Sequence, residues 1–356
     1  VGRIGADLDS EIRHFEVMLR GMQLAALALV AVSASAVWFV GARAEVASVQ
    51  DTNAPASSST SSAANEPTRA VLVTGASTGI GRSAAELFAG AGWLVYAGAR
   101  SAEDLAELDA LEGVTALRLD VTVQADIDAA VERVRAGEVP LEVLVNNAGV
   151  VTLGPIAEMS DADLRFQFDV NVFGVQRVTR AFAPLLVESK GRVITTGWIS
   201  GVATWSLGGA YTMSKHAIEA FGDTLGAELA LVGVQSCVIE PGNFRSAIMD
   251  NAVKRMVESG YSPEGSMFEE QMRGFLAGPG NRSEEADPIA VAQAMLDVAT
   301  AEKMPRRRMV VPNAGEAAFT LRAHVQRLVE LNAGHEYTLS RDELVKLVDD
   351  ALAAQR

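Results

Sequence analysis

Tyr211 and Lys215 stand four residues apart at the start of a helical pattern that continues through Ala217, Ile218 and Phe221, so both project from one helix face. That pairing has a chemical use. A phenol with a reference pKa of about 10 exchanges protons poorly at neutral pH, and a neighbouring ammonium favours the phenolate and lowers that value. A tyrosine so placed is suited to general acid/base work. Upstream, Gly75-Ala76-Ser77-Thr78-Gly79-Ile80-Gly81 follows the short apolar run Ala70–Thr74 and opens a helical pattern through Leu87 and Phe88. Glycines there let the backbone turn tightly and approach a pyrophosphate, whose charge is held by free N–H groups at a helix N-terminus. Taken singly, the first pattern is also that of a helix surface pair, and the second that of a plain strand-to-helix connection.

Strands and helices must hold these residues, and the chain supplies them in alternation. Leu94–Ala97, Thr115–Leu119 and Leu141–Val145 are further apolar runs, separated by helix-like segments such as Asp126–Val134. Alternating units of this kind predict an α/β fold: a three-layer, doubly wound parallel sheet forming a single main domain, with ligand at the carboxyl ends of the strands. Arg100, Asp120-Val121 and Asn146-Asn147-Ala148-Gly149 fall at the ends of the second, third and fourth strands.

Thr74–Gly81, Asn146–Gly149 and Tyr211–Lys215 resemble, in order, the three signature motifs of the short-chain dehydrogenase/reductase family, a Rossmann-type fold, over about Arg69 to Val311. The resemblance implies a cofactor site made by Gly75, Ser77, Thr78, Gly79, Ile80 and Gly81 at the pyrophosphate. It places Asp120 and Val121 at the adenine and Asn147, Ala148 and Gly149 along the cleft. Pro241, Gly242 and Asn243 would close over the nicotinamide. It also implies Tyr211 as general acid/base, Lys215 on the nicotinamide ribose, and Asn171 in support of a proton-relay water. At the second strand's end the acidic position of NAD-preferring relatives is Ala99, and Arg100 follows; a cation suits a 2′-phosphate, so NADP is favoured over the alternative, NAD.

The family's remaining catalytic member is a serine 13 residues before the tyrosine, and that position holds Trp198. The surrounding string Arg192–Gly201 otherwise follows the family's strand and turn. Three readings are open: slow or absent turnover, which ranks first; a substitute hydroxyl from Thr196 or Ser200; or donation by the Trp198 indole N–H, which is a donor only. The expected activity is interconversion of an alcohol and its carbonyl by hydride transfer, with a non-catalytic dinucleotide-binding sensor or membrane-tethered scaffold as the alternative.

The segment from about 243 to 285 carries Ile248, Met249, Met256, Met267, Phe268, Met272 and Phe275 and corresponds to the family's substrate lid. Methionine-rich surface adapts to irregular apolar ligands, so a hydrophobic small molecule is expected, as in the steroid- or retinol-dehydrogenase-like members. Pro288–Ala301 reads as a helix and Met309–Val311 as a last strand. Residues 313–356 read as a helical extension, in which Ser340-Arg-Asp-Glu343 forms a capping box before Leu344–Ala354, suited to packing or homo-oligomer contact.

A chain of 356 residues, 49% hydrophobic, can bury a full core. Its formal charge of -15 and sequence pI of about 4.8 argue against nucleic acid, which needs clustered cations. The basic run Arg306-Arg307-Arg308 reads as a solvated strand edge. A single cysteine, Cys237, in the apolar stretch Val234–Ile239, excludes an intrachain disulfide and a multi-cysteine metal site; no metal is expected.

Residues 1–44 form a separate N-terminal segment. No charge occurs from Met22 to Ala42, a length near that which spans a bilayer, while Ala42-Arg43-Ala44 offers a cleavage pattern. The expectation is a membrane-associated or exported protein, with a buried soluble helix as the alternative reading. Arg3, Arg13 and Arg20 before the run would place the domain on the non-cytoplasmic side, against its need for a cofactor supply. Residues 45–68 have the composition of a flexible linker, and the main domain, 69–312, starts at Arg69.

Overall fold

The computed structural model describes residues 68–277 and 285–354, and the expectations for residues 1–67 lie outside the described residues. Seven parallel strands form one sheet in the order β3-β2-β1-β4-β5-β6-β7. They are β1 Ala70–Val73, β2 Leu94–Ala99, β3 Val114–Arg118, β4 Leu141–Asn146, β5 Arg192–Thr196, β6 Gln235–Pro241 and β7 Arg307–Val310. The doubly wound parallel sheet expected from the sequence is the observed architecture. β1 pairs with β2 on one side and β4 on the other, so the strand order reverses between β1 and β4. Loops leaving these two strands diverge to opposite faces, and the crevice between them is where such sheets bind ligands.

Strands buried on both faces are dominated by apolar residues; β1 is apolar throughout, and β4 is so at Leu141, Val143, Leu144 and Val145. Val71, Val73, Val143 and Val145 face a layer that contains Phe88 of α1 (Gly79–Gly90), Leu108 of α2 (Ala102–Asp109) and Met295 of α9 (Ile289–Thr300). Leu72 and Leu144, one residue out of step, face the other layer. There they meet Ile127 of α3 (Gln124–Arg135), with Val178 and Phe182 of α5 (Val175–Ser189). Phe88 and Phe182 are fully buried, each contributing about 1.5–3 kcal/mol through removal from water. Cys237 is also fully buried; burial, ahead of nearby charges, pushes its thiol up to about 12, so it behaves as a small hydrophobe.

A helical rod runs without a break from α4 (Asp161–Phe168) through a π-helical turn, Asp169–Gly174, into α5. α6 (Gly209–Ala230) lies against β6 and carries Tyr211 and Lys215. The segment after β6 forms α7 (Ile248–Glu258) and α8 (Glu269–Leu276), while residues 278–284 lie outside the description. α10 (Ala314–Leu331) and α11 (Arg341–Ala354) follow β7. The capping box before α11 is present, with the Ser340 N–H donating to Glu343 Oε2 at 2.7 Å. α11 has no buried residue.

Two expectations change. The basic run does sit on the edge strand, but its charges are paired: Arg307 with Glu219 and Asp223, Arg308 with Asp297. Carboxylates on α6 and α9 compete successfully with water for these guanidinium groups. The expected membrane-associated or exported localisation is corrected as well. It rested on residues 22–42, outside the described residues, and among the described residues no helix is long and apolar enough to cross a membrane.

Candidate active site

A cavity of about 1060 Å³ opens along the carboxyl ends of the central strands. At one end lies the glycine turn. Gly75 and Gly79 adopt φ +64° and +55°, in the left-handed region that favours glycine. Helix α1 starts at Thr78 without a side-chain cap and with no acidic residue in its first turn. By contrast α2, α4 and α10 are each capped, by Ser101, Ser160 and Asn313. The end of α1 thus presents uncapped N–H groups to the cavity, as an anion requires.

The crevice is braced across the switch point by Thr74. Its Oγ1 accepts from the N–H groups of Asn147 and Ala148, both at 3.0 Å. Asn147 Nδ2 donates back to the carbonyls of Thr74 and Gly75, at 3.2 and 3.1 Å. Gly81 does not line the cavity; it is packed beneath it, where a Cβ would fall 2.1 Å from the Gly75 oxygen and 2.5 Å from Asn147 Nδ2. Gly81→Ala is therefore expected to displace the turn, lowering stability by about 1–3 kcal/mol. Thermal unfolding of the variant checks this, and an unchanged midpoint would show that the turn can yield.

At the far end of β2, Arg100 lines the cavity and forms no ion pair among the described residues, beside the buried Ala99. Asp104 lines the same end. Asp120 and Val121 line it after β3; the Asp120 carboxylate accepts from the Thr122 N–H at 2.9 Å and from its hydroxyl at 2.6 Å. Ser77, Ile80 and Gly149 border the same space, as do Pro241, Gly242 and Asn243 at the end of β6.

Tyr211 and Lys215 reach the cavity from the first turns of α6, and both are buried. Lys215 Nζ donates to the Thr196 carbonyl at 2.8 Å and lies 5.6 Å from the Tyr211 ring centre. The expected lowering of the tyrosine by its lysine is not what the surroundings produce. Burial pushes the Tyr211 phenol well above its ordinary value, and burial also pulls Lys215 down to about 8, partly opposed by Glu219. Desolvation penalises both charged forms, and at this depth it outweighs the attraction between them.

Tyr211 is buried by an apolar cluster with Val151, Leu153 and lid residues including Met256 and Met272; Ile248, Met249 and Phe275 pack against it. Met267 and Phe268, also expected in the lid, are exposed. Trp198 closes the remaining side, its ring 5.1 Å from that of Tyr211 in an edge-on arrangement. Its indole N–H donates to the Gly242 carbonyl at 3.3 Å, and the Thr196 hydroxyl donates to Asn147 Oδ1 at 3.4 Å. Both groups are thus engaged with protein partners, and the Ser200 side chain lies outside the described residues.

Asn171 does not line the cavity. It stands one layer behind on the π-turn, accepting from the Val150 N–H at 2.8 Å and donating to the Val150 carbonyl and to Ser214 Oγ at 3.0 and 3.1 Å. Ser214 in turn donates to the Tyr211 carbonyl at 2.7 Å, so a hydrogen-bonded chain ties the loop after β4 to α6. Sequence reading missed Ser214, Thr74 and the second brace, Gln167, which takes the Thr152 N–H at 2.6 Å. Ser214 offered one signal, a polar residue on the α6 face that also carries Tyr211, Lys215 and Ile218. No group of three or more His, Cys, Asp or Glu side chains among the described residues is placed to hold a metal.

A model of the short chain dehydrogenase family matches residues 69–257. An NADPH-dependent 3-dehydrocapnine reductase from Ornithobacterium rhinotracheale is 38% identical over 193 residues, covering 52% of this chain and 68% of that one. The mitochondrial D-beta-hydroxybutyrate dehydrogenase of Bos taurus is 35% identical over 189 residues, 50% of this chain but only 55% of its own length. Among solved structures, a short-chain dehydrogenase from Streptomyces avermitilis superposes with a TM-score of 0.60 at 29% identity, covering 81% of this chain and 99% of its own. A short-chain dehydrogenase/reductase from Burkholderia phymatum in complex with NAD gives 0.63 at 26% identity, covering 77% and 99%. With more than half of its residues under the family model and the parallel sheet in place, the chain belongs to the short-chain dehydrogenase family of oxidoreductases.

Proposed function

We propose that the chain is an NADP(H)-dependent oxidoreductase that interconverts a hydrophobic alcohol and its carbonyl, at a rate limited by Trp198. The observation that carries this reading is the single cavity with an uncapped helix N-terminus at one end and the buried Tyr211–Lys215 pair at the other. Its volume and its donors suit a dinucleotide, whose nicotinamide when bound supplies or accepts the hydride. The glycine turn and the α1 terminus would hold the pyrophosphate, Lys215 would hold the nicotinamide ribose, and Pro241 to Asn243 would lie against the nicotinamide. Tyr211 gives or takes the hydroxyl proton. The methionines and aromatic rings around it exclude water and favour an apolar substrate. Asn171 holds the loop that forms the cleft wall beside Tyr211.

Arg100 supports NADP over NAD, because its exposed guanidinium pairs with no carboxylate among the described residues and β2 ends on Ala99. The NADPH-dependent relative points the same way. Titrating both reduced cofactors into wild type and Arg100→Ala tests this. NADPH should bind more tightly than NADH in wild type, and Arg100→Ala should lose about tenfold or more of its NADPH affinity. An unchanged preference would remove the NADP assignment. Absorbance loss of NADPH across a panel of apolar ketones and aldehydes tests the activity itself. A second reading, a dinucleotide-binding sensor without turnover, is favoured by Trp198 standing at the serine position and covering Tyr211. Binding without consumption over the whole panel would select it.

A further inference from the structure

One helical turn beyond Lys215, Glu219 carries a carboxylate that is largely buried. Its Oε2 receives Arg307 Nε at 2.8 Å, and the same Nε lies 3.3 Å from Glu240 Oε1 on β6. Arg307 also donates to Asp223 Oδ2 at 2.8 Å. The other oxygen, Glu219 Oε1, is buried and has no hydrogen-bond partner among the described residues. It packs beneath the turn after β5, where Cβ atoms on Gly197 and Gly201 would come within 2.8 and 2.7 Å of the glutamate side chain. Gly197 follows Thr196, whose carbonyl receives Lys215. The carboxylate therefore lies under the backbone turn that holds the lysine.

Two buried carboxyl groups on one guanidinium nitrogen cannot both be ionised cheaply. Burial first, then the charge of Glu219, pushes Glu240 up to about 7, while Glu219 accepts from the Arg307 guanidinium. The charged and titratable groups around the glutamate are Lys215 and Asp223 on α6, Glu240 on β6, Arg306 and Arg307 at β7, and His324 on α10.

We propose that Glu219 is a positioning residue for Lys215: its carboxylate, clamped by Arg307, keeps the buried ammonium charged and supports the Thr196–Gly197 turn that receives it. This rests on the reading of Lys215 as part of the cofactor and proton-transfer site. The cluster explains why an edge strand carries Arg307 and why the turn after β5 is spaced by glycines. It also accounts for a buried carboxylate on the face of α6 behind the site.

The chain has five lysines, so full-length protein labelled with 15N-lysine allows Lys215 to be titrated directly. In Glu219→Gln, the Lys215 Nζ midpoint should fall by about half a pH unit, roughly threefold in the ratio of charged to neutral amine. Lys190 and Lys303 should not move. An unchanged Lys215 midpoint in a folded Glu219→Gln protein overturns the proposal. Should that variant fail to fold, 13C-carboxyl titration of wild type decides: Glu219 must be ionised over the range in which Lys215 is charged, and a protonated Glu219 there overturns it equally. Because the readout is protonation of one lysine, it remains informative even if the protein reduces no carbonyl.

Discussion

Trp198→Ser is expected to raise carbonyl reduction at least about tenfold over wild type. The indole now spends its N–H on the Gly242 carbonyl and lays its ring against Tyr211. So engaged, the indole N–H is not free for a substrate oxygen, and on the proposed reading the ring crowds the approach to the phenol. A serine restores a small hydroxyl donor. Loss of one positioned donor to developing negative charge typically costs on the order of 10²–10³ in rate. The gain is partly offset by looser packing, since the ring pair alone contributes about 0.5–1.5 kcal/mol. The measurement is initial rate of NADPH consumption for the best substrate of a carbonyl panel, wild type beside variant. Equal or lower activity would mean that the tryptophan is an adapted part of the site.

Tyr211→Phe has the opposite sign, a loss of about 10² or more in turnover with dinucleotide affinity unchanged. The substitution keeps the ring that packs against Trp198 and the lid cluster while removing the phenol hydroxyl, so folding is expected to be preserved. Cofactor affinity, read by fluorescence titration, separates a lost acid from a damaged site. In the Trp198→Ser background the loss is larger in absolute rate, because groups that act as a unit are not additive. Turnover that survives Tyr211→Phe would transfer the proton role elsewhere and with it the proposed mechanism.

Much of this was legible in the sequence because the features involved are local. A β-branched run ending in Gly75 announces β1 and its turn, and Tyr211 with Lys215 share a face whatever they pack against. The layers followed from alternation alone. What was not legible depends on depth and on distant partners. The Tyr211 phenol is raised because the lid and Trp198 remove water from it, and helix spacing carries no information on that. Asn171 is turned to the Val150 backbone by a π-turn that its neighbours do not betray. Arg307 reads as solvated until β7 is placed beside β6 and α6, where three carboxylates wait for it.

That π-turn also fixes how long the rod between Asp161 and Ser189 must be. Gln167 before it and Asn171 within it address the loop after β4; beyond it, Val178 and Phe182 address the sheet. Each residue added to or taken from a helix swings everything downstream by about 100°. Shortening the bulge by one would close a more regular helix and, in the same stroke, aim Phe182 away from the core. Surface loops in general absorb insertions, whereas a helical rod with partners at both ends does not: the count of its residues is as much a part of the site as their identity.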